Sequence, residues 1–233
     1  VITIAVAQPR CTPYDVAANV AAHAEAVRAA GARVVVFPEL SLTGYHLDAP
    51  VVPFELVEPL VEACAETGSV AFAGAPVAGP YIGVLEVSGA GVRVAYRKVW
   101  LGGGEPARFR PGAAPAVVEV DGVRLGLAVC KDTGVPRHAA DTAALGVDVY
   151  VAGVLEHAWQ ADVLDERARR VAVEHDVWVA MASFAGSTGE GYDSAAGRSG
   201  VWDSSGGRIV SADTGVDAVV RVVIPGRATD GGA

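Results

Sequence analysis

The chain has 233 residues, 52% hydrophobic and 19% charged, with a net charge of −9 at pH 7. Such a composition excludes disorder, and an acidic balance without a Lys/Arg stripe excludes a nucleic-acid partner. No apolar run reaches the length of a membrane span and no basic-then-apolar leader opens the chain, so a cytoplasmic protein with no membrane partner is expected.

In chain order, the β-branched run Ile2 to Ala7 reads as a first core strand. Asp15 to Ala30 carries apolar residues at helical spacing and is closed by Gly31. Val34 to Phe37 reads as a buried strand stopped by Pro38, with Glu39 immediately beyond it. Pro53 to Thr67 is a helix, Val70 to Ala75 a strand, and Tyr81 to Ser88 with Val92 to Lys98 a hairpin. A Gly-rich loop, Gly102-Gly103-Gly104-Glu105, follows. Ala116 to Val120 and Val123 to Cys130 form a second hairpin around Asp121-Gly122. His138 to Leu145 is a helix, Val147 to Ala152 a strand, Trp159 to His175 a helix and Trp178 to Ser183 a strand. A polar loop runs from Ala185 to Gly200, and Val201 to Trp202, Arg208 to Ala212 and Ala218 to Ile224 are late strands. Residues 1–224 read as one α/β domain and 225–233 as a flexible tail. Hairpins interrupt the strand–helix alternation, which argues for a layered sandwich with mixed sheets.

The cysteines are Cys11, Cys64 and Cys130. An odd number without a CxxC points to reduced thiols and argues against a disulfide framework or a zinc site. Three chemically capable residues, Glu39, Lys98 and Cys130, stand at or just past strand ends, and parallel strands of one sheet bring such tips to one face. A thiol must lose its proton to attack a carbonyl, a carboxylate can take that proton, and an ammonium can hold the resulting oxyanion beside the backbone N–H of Lys131. Together they make an acyl-transfer device that calls for no metal and no cofactor. Taken singly, Glu39 also reads as a loop acid, Lys98 as an edge charge and Cys130 as inert core. A Cys-His-Asp hydrolase would require glycines flanking the nucleophile, and Ala128-Val129-Cys130-Lys131-Asp132 lacks them; the histidines read mostly as surface or helix residues. A non-catalytic binding protein on the same fold is the other alternative.

The segments IAVAQ, FPEL with Glu39, YRKVWL with Lys98, FRPG, GLAVCKD with Cys130 and GRSGVWD, spread over nearly the whole length, resemble the nitrilase superfamily of carbon–nitrogen hydrolases. The resemblance implies a four-layer α-β-β-α sandwich with two mixed β-sheets and pairing into homodimers or larger homo-oligomers. It implies Glu39 as general base, Lys98 as oxyanion stabiliser and Cys130 as acyl-forming nucleophile. Glu105, alone among glutamates between Gly102 and Gly112, takes the place of a second active-site glutamate. Nitrile-cleaving members look like Cys-Trp-Glu where this chain has Cys130-Lys131-Asp132, which favours a small amide or N-carbamoyl substrate. The expected reaction is thiol-dependent hydrolysis of a non-peptide C–N bond, giving a carboxylic acid and ammonia or an amine. Lys131 and Asp132, unusual neighbours of the thiol, are expected to contact that substrate. Arg137 stands where the family often has an acid; it binds a substrate carboxylate or points to solvent or a partner. Tyr192, in the polar loop, is expected to face the substrate as a lid residue.

Overall fold

A computed structural model describes residues 1–225; most of the segment read as a tail, 226–233, lies outside the described residues. The elements are β1 (Ile2–Gln8), α1 (Val16–Ala30), β2 (Val34–Val36), α2 (Glu58–Thr67), β3 (Val70–Val77), β4 (Tyr81–Ser88) and β5 (Gly91–Arg97). They continue with β6 (Ala116–Val120), β7 (Val123–Val129), α3 (Pro136–Ala143), β8 (Val149–Val154), α4 (Ala161–His175) and β9 (Trp178–Ser183). The described residues end with β10 (Ala185–Gly186), β11 (Ala195–Ala196), β12 (Gly200–Trp202), β13 (Arg208–Ser211) and β14 (Ala218–Ile224).

Two six-stranded sheets result, ordered β14-β1-β2-β3-β4-β5 and β13-β12-β9-β8-β7-β6. Each has a parallel centre, β1-β2-β3 in one and β7-β8-β9 in the other, flanked by antiparallel strands. The period-2 alternation of the strands divides the core. Ile2, Ile4 and Val6 of β1, Val34 and Val36 of β2, Leu125, Leu127 and Val129 of β7, and Val149 and Val151 of β8 meet between the sheets. The alternate residues face outward: Ala5, Ala7 and Val35 lie under Val20, Ala24 and Val27 of α1, while Ala128 and Ala152 lie under Ala139 of α3 and Leu164 and Ala168 of α4. Small alanines on the outer faces let the helices close on the sheets. This is the α-β-β-α sandwich expected.

The helix ends follow local chemistry. Asp15 caps α1, its side chain accepting from Ala18 N at 3.0 Å, and Gly31 closes it at φ +54°. Expected and observed elements differ at their ends: the helix expected from Pro53 opens as a 3-10 turn over Phe54–Val57, and α2 proper begins at Glu58. The helix expected from His138 begins at Pro136, because proline's missing N–H costs nothing in a first turn. The strand expected over Val147 to Ala152 runs over Val149–Val154, a two-residue shift that moves its tip.

Candidate active site

Glu39 follows β2 on a loop gripped from both sheets. A methyl group on Gly74 of β3 would lie 2.3 Å from Leu40 N and 2.4 Å from Pro38 O; one on Gly153 of β8 would lie 2.6 Å from Phe37 O and 2.9 Å from Glu39 N. Only glycine permits that approach. Behind the loop, Asn19 Nδ2 donates to Leu42 O at 3.1 Å, and His23 donates from Nδ1 to Asn19 O at 2.7 Å while its Nε2 accepts from Ser41 Oγ at 2.8 Å. Burial holds His23 neutral, lowering its pKa to about 4.

Lys98 leaves β5 with its backbone fixed on both sides, Lys98 N donating to Ile82 O at 2.9 Å and Gly112 N to Lys98 O at 2.7 Å. Its side chain is buried, and Nζ donates to Glu39 Oε1 at 2.6 Å and to Glu105 Oε1 at 2.7 Å. Glu105 is held in turn by Tyr45 OH at 2.7 Å and by Gly102 N on its second oxygen at 2.8 Å. Cys130 directly follows β7 in a left-handed conformation, φ +38°, an uncommon state for a residue with a side chain. Thr133 Oγ1 donates to its carbonyl at 2.7 Å, and its thiol is directed at Leu155 O at 3.3 Å.

The electrostatics follow from burial. Burial pushes the Glu39 carboxyl up; Lys98 pulls it down and Glu105 pushes it up again, leaving it at about 7. Glu39 Oε2 is buried without a hydrogen-bond partner. Burial and then the Glu39 charge hold the Cys130 thiol above its ordinary range, opposed by Lys98. Burial disfavours the Lys98 charge, but Glu39, Cys130 and Glu105 together raise its pKa, so it remains an ammonium. The group therefore rests as a protonated thiol beside a carboxylate poised near neutrality and a fixed cation. That arrangement can move a proton off sulfur only as the sulfur is consumed.

Glu39, Lys98, Glu105 and Cys130 are thus brought together. Tyr192 lies beside them: its ring stacks on His157 at 4.1 Å and meets Tyr45 edge-on at 5.5 Å. Burial raises its phenol to about 12, with Cys130 the next contributor. The other three expected residues are not brought into this group. Arg137 is 80% exposed and pairs along its helix with Asp141 at 3.4 Å, so it faces solvent, one of the alternatives open for it. Asp132 is fully buried, with Val129 N, Trp100 N and Tyr96 OH donating to its two oxygens, so it is turned into the protein. Lys131 is exposed and its side chain runs beside Gly102, outside the buried group. His23 of α1 and His138 of α3 are helix residues, as expected of the histidines, and both are buried and bonded. Neither His138, engaged by Tyr96 and Tyr150, nor His157, stacked between Tyr192 and Trp159, serves the thiol.

Two contributors escaped the sequence. Glu156 bears on the Cys130 thiol and pairs with Arg167. It stands just past the tip of β8 and would have joined the strand-end residues had that strand's end been placed correctly. Tyr45 carries no signal for its bond to Glu105, because the two are joined only by tertiary folding. The three cysteines are free, and among the described residues no group of three or more His, Cys, Asp or Glu side chains is placed to hold a metal ion. No described helix is long and apolar enough to cross a membrane.

A family model described as carbon–nitrogen hydrolase matches residues 3–228. No curated protein matches the chain significantly. Among solved structures, a variant of the amidase from Nesterenkonia sp. AN1, with acrylamide joined by Michael addition to its active-site cysteine, superposes with a TM-score of 0.84 at 24% identity, covering 97% of this chain and 94% of that one. A cysteine-to-alanine variant of that amidase in complex with butyramide gives 0.84 at 24% identity over 96% and 91%. Nit3 of Saccharomyces cerevisiae, a member of branch 10 of the nitrilase superfamily, gives 0.82 at 21% identity over 95% and 89%.

Proposed function

The chain belongs to the carbon–nitrogen hydrolase family, and we propose that it hydrolyses a small non-peptide amide or N-carbamoyl compound through an acyl-enzyme on Cys130. The observation that carries this is Lys98 Nζ, held 2.6 Å from Glu39 and 2.7 Å from Glu105 at the site of the Cys130 thiol. The amidase neighbours with an active-site cysteine support the choice of an amide.

In this reading the Cys130 proton passes to Glu39, whose Oε2 has no other partner. Sulfur bonds to the substrate carbonyl carbon, and the C=O electron pair moves onto oxygen. The Lys98 ammonium and the Lys131 backbone N–H hold that oxyanion; losing one such donor costs about 3–4 kcal/mol of transition-state stabilisation. Glu39 then gives its proton to the leaving nitrogen as the C–N bond breaks, leaving a thioester. A water, deprotonated by Glu39, attacks the thioester, and the acid departs as sulfur regains its proton. Glu105, with Tyr45 behind it, fixes the ammonium. Tyr192 borders the entrance and contacts the acyl portion of the substrate.

The test is ammonia release from small aliphatic amides and N-carbamoyl acids. The wild-type protein is expected to release it, and Cys130→Ala and Glu39→Gln are expected not to; release by Cys130→Ala would refute the proposal. We place this enzyme in the cytoplasm as a homodimer, which light scattering on the purified protein tests for the assembly.

A further inference from the structure

Asp132 lies two residues beyond Cys130 and is fully buried, yet it is no part of the proton path above. Its Oδ1 accepts from Trp100 N at 2.8 Å, and its Oδ2 accepts from Val129 N at 2.9 Å and from Tyr96 OH at 2.8 Å. The Tyr96 oxygen accepts from Val99 N at 3.3 Å and meets His138 Nε2 at 2.8 Å, while His138 Nδ1 meets Tyr150 OH at 2.9 Å. Burial lowers the His138 pKa, so the ring is neutral. With the tyrosine proton on Asp132, Nε2–H donates to Tyr96 and Nδ1 accepts from Tyr150. Every donor converging on Asp132 needs an acceptor, and a carboxylate is the side chain that supplies only acceptors.

The positions of those donors matter. Tyr96, Val99 and Trp100 bracket Lys98, and Val129 immediately precedes Cys130. Lys98 follows β5, the edge of one sheet, whereas Cys130 follows β7 in the other sheet. The ladder hydrogen bonds of each sheet therefore do not set the distance between ammonium and sulfur. The geometry points to Asp132 as a positioning residue that latches the Lys98 segment onto the strained Cys130 turn and so sets how closely the ammonium approaches the thiol. This rests on the acyl-enzyme reading above for its catalytic consequence, but not for its effect on the thiol. Lys98 is the charge that draws the thiol's proton affinity down, so slackening the latch makes the thiol harder to ionise.

The experiment uses the full chain with Asp132→Asn and Tyr96→Phe. Asparagine keeps the shape but offers one acceptor where three donors converge; phenylalanine removes the tyrosine link and keeps both backbone bonds. Two quantities are measured: kcat and KM on a small aliphatic amide, and the rate of Cys130 alkylation by iodoacetamide, mapped by mass spectrometry between about pH 6 and pH 10. A misplacement on the order of 1 Å costs about 100-fold, so Asp132→Asn is expected to lose about 100-fold in kcat with KM within about threefold. Its alkylation profile is expected to move to higher pH. Tyr96→Phe is expected to lose about tenfold in kcat, with the profile displaced in the same direction. A purely structural role would lower the melting temperature and leave kcat and the alkylation profile of the folded protein unchanged; that result overturns the latch. Should Asp132→Asn fail to fold, Tyr96→Phe decides by the same criteria. Should the wild type cleave no amide, the acyl-enzyme reading fails, and the alkylation profiles alone confirm or overturn the latch.

Discussion

Gly153 is the position at which one added methyl group should separate Glu39 from Cys130, the base and nucleophile of the proposed mechanism. Its Cβ would fall 2.6 Å from Phe37 O and 2.9 Å from both Glu39 N and Pro38 C. An ordinary carbon–oxygen contact is about 3.3–3.6 Å, so the Glu39 loop must retreat by about 0.7–1 Å. All three obstructing atoms are backbone, and the loop rests as closely on Gly74 of the opposite sheet, so no flexible side chain can absorb the change. Overpacking of this kind costs about 1–3 kcal/mol of stability. The larger effect is on geometry: moving Glu39 by nearly 1 Å from Cys130 is expected to lower kcat about 100-fold with little change in KM. The assay is steady-state ammonia release by Gly153→Ala, with thermal unfolding alongside. Gly102→Ala is the control. Gly102 N bonds Glu105, but a Cβ there would meet only the Lys131 side chain, at 3.6 Å, so its kcat is expected to stay within about threefold of wild type. A folded Gly153→Ala enzyme with wild-type kcat, or equal damage in both variants, would refute the reasoning.

In the proposed mechanism Glu39 must be unprotonated to accept the thiol's proton, and its pKa is raised to about 7, first by burial. Activity is therefore expected to be present above that pH and to fall as pH drops through it; a kcat/KM profile flat down to about pH 5 would contradict this. Lys98→Met leaves two buried carboxylates without their cation and is expected to destabilise the fold by about 3–5 kcal/mol, read by denaturant unfolding, with activity abolished. Arg137→Ala removes an exposed pair and is expected to change stability by no more than about 0.5 kcal/mol and kcat/KM not at all, for substrates with or without a carboxylate. A selective loss on carboxylate-bearing substrates would restore Arg137 to the site.

The strand tips were the legible part of this site. Glu39 and Cys130 each end an apolar run and Lys98 ends a β-rich segment, and a charge or thiol at a strand end is visible in one dimension. The same rule would have found Glu156, but periodicity fixes a strand's existence better than its end, and an error of two residues hid it. The sandwich was legible because hairpins interrupt the alternation of strands and helices, which a layered pair of mixed sheets accommodates. Asp132, Lys131 and Arg137 stand apart from the buried group for one reason. All follow the thiol within a few residues, but a turn starting at φ +38° sends consecutive side chains into the core, over the Gly102 loop and out to solvent. Burial of His23 and His138 was equally invisible, because each is satisfied by partners distant in sequence or by a local carbonyl.

The most direct test of the account is the mass of the enzyme during turnover. Rapid acid quenching of the wild-type protein with a small amide, followed by intact and peptide mass spectrometry, is expected to show one acyl group added, located on Cys130 and missing in Cys130→Ala and Glu39→Gln. Steady ammonia release by Cys130→Ala, or an acyl group carried on any other residue, would contradict it.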